Sequence, residues 1–87
     1  MCQIRNDLEG AVEFTEKALA INEELGNKEG IAINYGNLGN IYRTRGDTDR
    51  ARKYWKQSLA LFQQLDAKDN IALVQSWINE AKQKDSN

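Results

Sequence analysis

The chain has 87 residues, 40% of them apolar and 29% charged, with no proline and a formal net charge of −1. That suits one small globular domain with a folding free energy on the order of 4–13 kcal/mol. No apolar run approaches membrane-spanning length, and no global field draws in nucleic acid.

The first apolar pattern is Leu8, Ala11, Val12, Thr15, Ala18, Leu19, Asn22 and Leu25. Steps of three and four put these on one face, so residues 7–26 read as a helix. Asp7 is its expected N-cap, because a carboxylate there accepts from first-turn amides. Gly26 follows the last apolar position and can take the left-handed conformation that ends a helix. A second helix begins near Glu29, with Ile31, Tyr35, Leu38 and Tyr42 as its stripe. Gly36 and Gly39 lie inside it, and each costs up to about 1 kcal/mol against alanine. Close approach of a neighbouring helix is the expected reason for Gly39, which lies beside Leu38.

Gly46 ends the second helix and Asp47 caps the third. The third stripe, Ala51, Tyr54, Trp55, Ser58, Leu59, Phe62 and Leu65, mixes small and large residues, and small positions accept knobs from a facing helix. The fourth helix is expected over residues 69–84, carrying Ile71, Val74, Ile78 and Ala81, with Leu73 and Trp77 off that stripe. The polar tail from Lys82 is expected to fray. Joints of a few residues make adjacent helices antiparallel. The expected fold is all-α, one domain over residues 1–87.

The chain also repeats itself at an offset of 40 residues. Asp7, Ala11, Leu19, Ala20, Leu25, Lys28, Ile31 and Ala32 recur as Asp47, Ala51, Leu59, Ala60, Leu65, Lys68, Ile71 and Ala72. Phe14/Tyr54, Ala18/Ser58, Ile21/Leu61, Ile33/Leu73 and Leu38/Ile78 are conservative pairs at the same spacing. A fixed period in this range marks stacked repeats, whose units bury their apolar faces against neighbours.

Leu38-Gly39, Tyr42, Gly46-Asp47, Ala51, Trp55 and Ser58-Leu59 resemble the tetratricopeptide repeat signature. In that family the Leu-Gly pair and the Tyr lie on helix A, Gly-Asp makes the turn, and the small and aromatic residues lie on helix B. The family period is 34 residues; the longer spacing is similar to the long-helix variety of kinesin light chains. The sequence departs from the pattern at the fourth helix, where Asn79 replaces the Gly and Lys82 the Tyr, and no proline closes helix B. That helix is either a solvating cap or one whose partner has been lost. The resemblance implies the order B-A-B-A, with residues 29–65 as the complete repeat, 7–26 as a helix B and 69–84 as a degenerate helix A. It further implies a fragment of a longer array, or a protomer completed by another copy.

The function expected from the resemblance is protein–protein interaction, with an extended peptide or partner helix held on the concave face of the A helices. Asn34, Asn37 and Asn40 recur every third residue on one of these helices. A side-chain amide both donates and accepts, which suits gripping peptide backbone; solvation, or a bond to the neighbouring helix, is the alternative. Arg43 is a candidate contact for an acidic ligand residue and Trp77 a candidate aromatic anchor. The second hypothesis is self-assembly, as a homo-oligomer or by domain swapping. The candidate hinges for exchange are residues 26–30 and 66–70, and charged substitution at Ile71 or Ile78 is expected to disturb assembly.

Other classes find little support. Histidine is absent, and one cysteine cannot build a structural zinc site, so neither a metal nor a cofactor is expected. No Gly-rich phosphate loop occurs and Ser58 has no base in view, so the chain is not expected to be an enzyme. The basic run Arg43–Lys56 contains Tyr54 and Trp55, but both belong to a packing stripe; nucleic-acid binding is a remote alternative, and neither nucleic acid nor membrane is an expected partner. A lone Cys2 and the absence of a signal-like stretch near Met1 point to a reducing, cytoplasmic setting.

Overall fold

The computed structural model describes the backbone of residues 2–86 and the side chains of residues 8–81. The side chains of Cys2, Asp7 and Lys82 lie outside the described residues. Four helices follow one another: α1 Cys2–Leu25, α2 Lys28–Thr44, α3 Thr48–Gln64 and α4 Lys68–Ser86. No strand occurs among the described residues. Two boundaries differ from the expected ones. Helix α1 begins at Cys2, so Asp7 lies inside it and is not its N-cap. Its counterpart Asp47 follows Gly46, whereas Asp7 follows Asn6. Helix α4 continues to Ser86, past the fraying point expected at Lys82.

The joints are built alike and stand 20 residues apart, at Gly26, Gly46 and Asp66. All three residues are left-handed, with φ of 68°, 90° and 56°. At each, the next amide reaches back to the helix it has just left: Asn27 N to Asn22 O at 2.9 Å, Asp47 N to Tyr42 O at 2.8 Å and Ala67 N to Phe62 O at 3.0 Å. This paired pattern satisfies the last carbonyls of each helix. Asn27 and Asp47 then cap the following helix, accepting from the amides of Gly30 and Arg50 at 3.2 Å each. The third joint keeps the left-handed turn but builds it from Asp66 in place of glycine, with Ala67 in place of a capping side chain.

Helices pack on their neighbours in sequence, α2 against α3 most extensively, and the result is a slab 38 × 31 × 16 Å. The core is Ala32, Leu38 and Tyr42 of α2, Ala51, Trp55 and Phe62 of α3, and Val74 and Ala81 of α4. Gly39 has the expected reason: a Cβ there would collide with the Trp55 indole and lie 3.0 Å from the Ala51 carbonyl oxygen. Trp55 is fully buried, and its Nε1 has no hydrogen-bond partner. Tyr54 stacks on Tyr35 and Tyr42 of α2, centroids 6.0 and 5.6 Å away. Burial, the Tyr42 phenol and Glu16 push the Tyr54 phenol up, against the opposing pull of Arg50.

Helix α1 sits at one end of the slab. Its inner side, Val12, Leu19 and the buried Thr15, packs towards α2. Its outer side leaves Phe14 76%, Ile21 57% and Leu25 73% exposed. At the other end the outer side of α4 is Ala72, Gln75, Ser76 and Asn79, all exposed. Ile71 and Ile78 are half-buried against the core. A charge at either would disturb this packing as well as any assembly.

Candidate functional site

Helices α2 and α4 flank a groove of about 140 Å³ whose floor is α3. Ile33, Gly36 and Asn37 line it from α2, Ser58 and Phe62 from below, and Asn70, Leu73 and Trp77 from α4. The polarity of the floor is already used up: Ser58 Oγ donates to the Ala32 carbonyl at 2.7 Å, so it offers neither a nucleophile nor a spare donor. The walls are apolar and open to solvent, with Ile33 and Leu73 each about half exposed. Trp77 is steadied by Trp55, its ring centroid 6.0 Å away at an interplanar angle of 39°. Two amides, Asn37 and Asn70, stand among these apolar groups.

Gly36 differs from Gly39 in kind. A Cβ at Gly36 would sit 3.5 Å from Ser58 Oγ and 3.6 Å from Trp77 Cζ3, ordinary contact distances. Packing therefore does not require glycine here, although a helix interior disfavours it. What glycine supplies at this position is room in the groove.

The structure separates the five residues expected to form the site. Asn37 is exposed and lines the groove, and Trp77 forms its opposite wall. Asn34 is buried, and its Oδ1 accepts from Asn22 Nδ2 of α1 at 2.7 Å, which is the bond to a neighbouring helix weighed as the alternative. Asn40 is half-buried and does not line the groove; its carbonyl accepts from the Thr44 hydroxyl at 3.0 Å. Arg43 pairs with Glu80 of α4 at 3.6 Å, tying the two walls together one turn beyond Trp77. Sequence reasoning missed Asn70 and the pairing of Arg43 with Glu80. It also missed Asn22, although a polar residue on an apolar stripe was a signal that a partner lies opposite.

A second concavity of about 410 Å³ lies where α3 meets α4, lined by Asp49, Arg52, Lys53, Lys56 and Ile78. Arg52 Nη2 bonds Asp49 Oδ1 at 2.9 Å, and Lys53 and Lys56 are exposed. Among the described residues no group of acidic, cysteine or histidine side chains could hold a metal, and no helix is long and apolar enough to cross a membrane.

An array of helices packed in chain order, joined by like turns and carrying a groove between alternate helices, defines a helical-repeat scaffold. The Tetratricopeptide repeat family model matches residues 1–76, and the chain belongs to that family. Its members in general mediate protein–protein interaction and are typically non-enzymatic scaffolds. Neither the curated proteins nor the solved structures give a significant match.

Proposed function

We propose that the groove between α2 and α4 holds an extended segment of a protein partner. The observation that carries this is the open apolar concavity with amides among its walls and a glycine that packing does not require. A large apolar side chain of the partner enters between Ile33, Leu73 and Trp77, and the Trp77 ring is its anchor. Asn37 and Asn70 bond the partner's backbone, one donating and one accepting. Arg43, which pairs with Glu80, takes an acidic residue of the partner in its place. Asn34 belongs to the α1–α2 contact. On this reading α2 and α3 are one complete helix A/helix B pair, α1 is a helix B and α4 a helix A. The chain works in a reducing, cytoplasmic setting.

Panning a displayed peptide library against the chain tests this. Enriched sequences should share one large apolar residue, and Asn37→Ala should weaken their binding about tenfold. Gly36→Ala should bind them more weakly while unfolding at a higher temperature, because alanine is the better helix former. Peptides that bind both variants as they bind the parent would place the contact elsewhere. A second reading, self-association, is favoured by a different observation: the exposed Phe14, Ile21 and Leu25 on one face of α1. Contiguous apolar surface of this kind commonly marks an interface.

A further inference from the structure

We propose that the basic cleft between α3 and α4 docks an acidic segment of a partner protein, on a surface separate from the groove between α2 and α4. The cleft holds about 410 Å³ and is lined by Asp49, Arg52, Lys53 and Lys56 of α3 and by Ile78 of α4. Three cations thus share it with one carboxylate. Arg52 bonds Asp49 at 2.9 Å, which engages that carboxylate. Lys53 and Lys56 are exposed, and among the described residues neither takes part in an ion pair. Their charge is therefore open to a ligand, and half-buried Ile78 adds apolar contact. The two lysines lie roughly 140–160° around α3 from Ser58, which floors the groove. Both surfaces can thus be occupied at once.

Charge selects the occupant. Forty residues earlier the matching positions of α1 are Glu9, Val12, Glu13 and Glu16, so the α1 flank is acidic where that of α3 is basic. The α1 flank lies towards α3, near enough for Glu16 to help push up the Tyr54 phenol, which Arg50 pulls down. The chain thus already sets an acidic flank beside a cation-bearing helix, and the basic flank of α3 calls for an acidic neighbour in turn. A protein segment also brings apolar side chains to Ile78, which a phosphate backbone does not. The aromatic residues beside these lysines in sequence are already engaged: Tyr54 stacks on Tyr35 and Tyr42, and Trp55 is buried. Neither offers a base a platform. With a net charge of −1, the chain gives a long nucleic acid no field beyond the cleft. Contacts through exposed lysines form quickly and weaken with salt.

Fluorescence anisotropy of the full chain tests this with two labelled probes, a glutamate-rich peptide carrying one leucine and a single-stranded DNA of equal charge. The peptide should bind, more weakly as salt rises, and more tightly than the DNA. Joint reversal by Lys53→Glu and Lys56→Glu should weaken peptide binding about tenfold. Lys17→Glu with Lys28→Glu makes the same charge change at exposed sites of α1 and α2 and should weaken it far less. Asn37→Ala in the groove should leave it unchanged. Far-ultraviolet circular dichroism checks that each variant stays helical; if the reversal does not, Lys53→Gln with Lys56→Gln replaces it. No binding at low salt would overturn the proposal, as would a reversal that binds like the parent or equal losses from the two lysine pairs. Loss with Asn37→Ala alone would place the peptide in the groove, and tighter binding of the DNA would give the cleft to nucleic acid. Sedimentation of the chain alone covers the remaining occupant: self-association that the Lys53 and Lys56 reversal abolishes would make it a second copy, against the proposal.

Discussion

Helices α1 and α3 are the same element written twice, and they fare differently. Phe14 and Tyr54, Ala18 and Ser58, Ile21 and Leu61, Leu25 and Leu65 are matched at an offset of 40 residues. In α3 the first three of these are buried or half-buried and Leu65 is 40% exposed. In α1, Phe14 is 76% and Leu25 73% exposed. The chemistry of the side chains does not explain this; α3 has α2 on one side and α4 on the other, and α1 has only α2. In a stacked repeat a residue is made core by the helix laid over it, and the same pattern without its neighbour stays exposed.

The comparison can be broken at several places. The largest effect belongs to Trp55, whose change to alanine should cost about 3–5 kcal/mol in urea unfolding, the range for emptying a large buried site. Its counterpart Thr15 bonds only the Ala11 carbonyl of its own helix, at 2.7 Å. Thr15→Ala should cost no more than about 1 kcal/mol, since alanine regains helix propensity. Equal costs would mean that α1 and α3 are packed alike. Next is the aromatic pair: Tyr54→Ala loses two ring contacts and should cost about 2 kcal/mol, whereas Phe14→Ala in the dilute monomer should stay within about 0.5 kcal/mol. A large loss at Phe14 in the monomer would show that its ring is covered.

Ser58→Ala should cost about 1 kcal/mol by removing a buried bond to Ala32, with Ala18→Ser at the matched α1 position nearly neutral by the same measurement. The smallest effect sharpens the joints. Asp66 adopts the left-handed conformation that Gly26 and Gly46 adopt freely. Asp66→Gly should therefore raise stability by about 0.5–1 kcal/mol, and a decrease would mean that the aspartate side chain contributes something the turn geometry does not show.

Much of this architecture was readable in advance, because it is local. The apolar steps of three and four, the glycines at 26 and 46 and the offset of 40 residues together specify helices, turns and stacking order. The start of α1 was not legible, because an aspartate reads as a cap whether or not a turn precedes it. Asp66 was legible as part of a joint over residues 66–70, but its left-handed angle was not, since aspartate takes that angle far less often than glycine. The groove was half legible. Asn37 and Trp77 follow from lying off the packing stripes, but Asn34 shares their spacing and turns the other way, to Asn22. A repeat of three residues winds around a helix, so Asn34 and Asn37 need not share a face. Likewise Arg43 could be seen as a cation, but its pairing with Glu80 depends on how α4 is set beside α2.

Native-state hydrogen exchange in the dilute monomer tests most directly whether neighbours confer burial here. Amides of α2 and α3 should exchange only through global unfolding, and those of α1 through a smaller opening of lower free energy that leaves α2–α4 intact. Protection in α1 equal to that in α3, with no second copy present, would contradict the account.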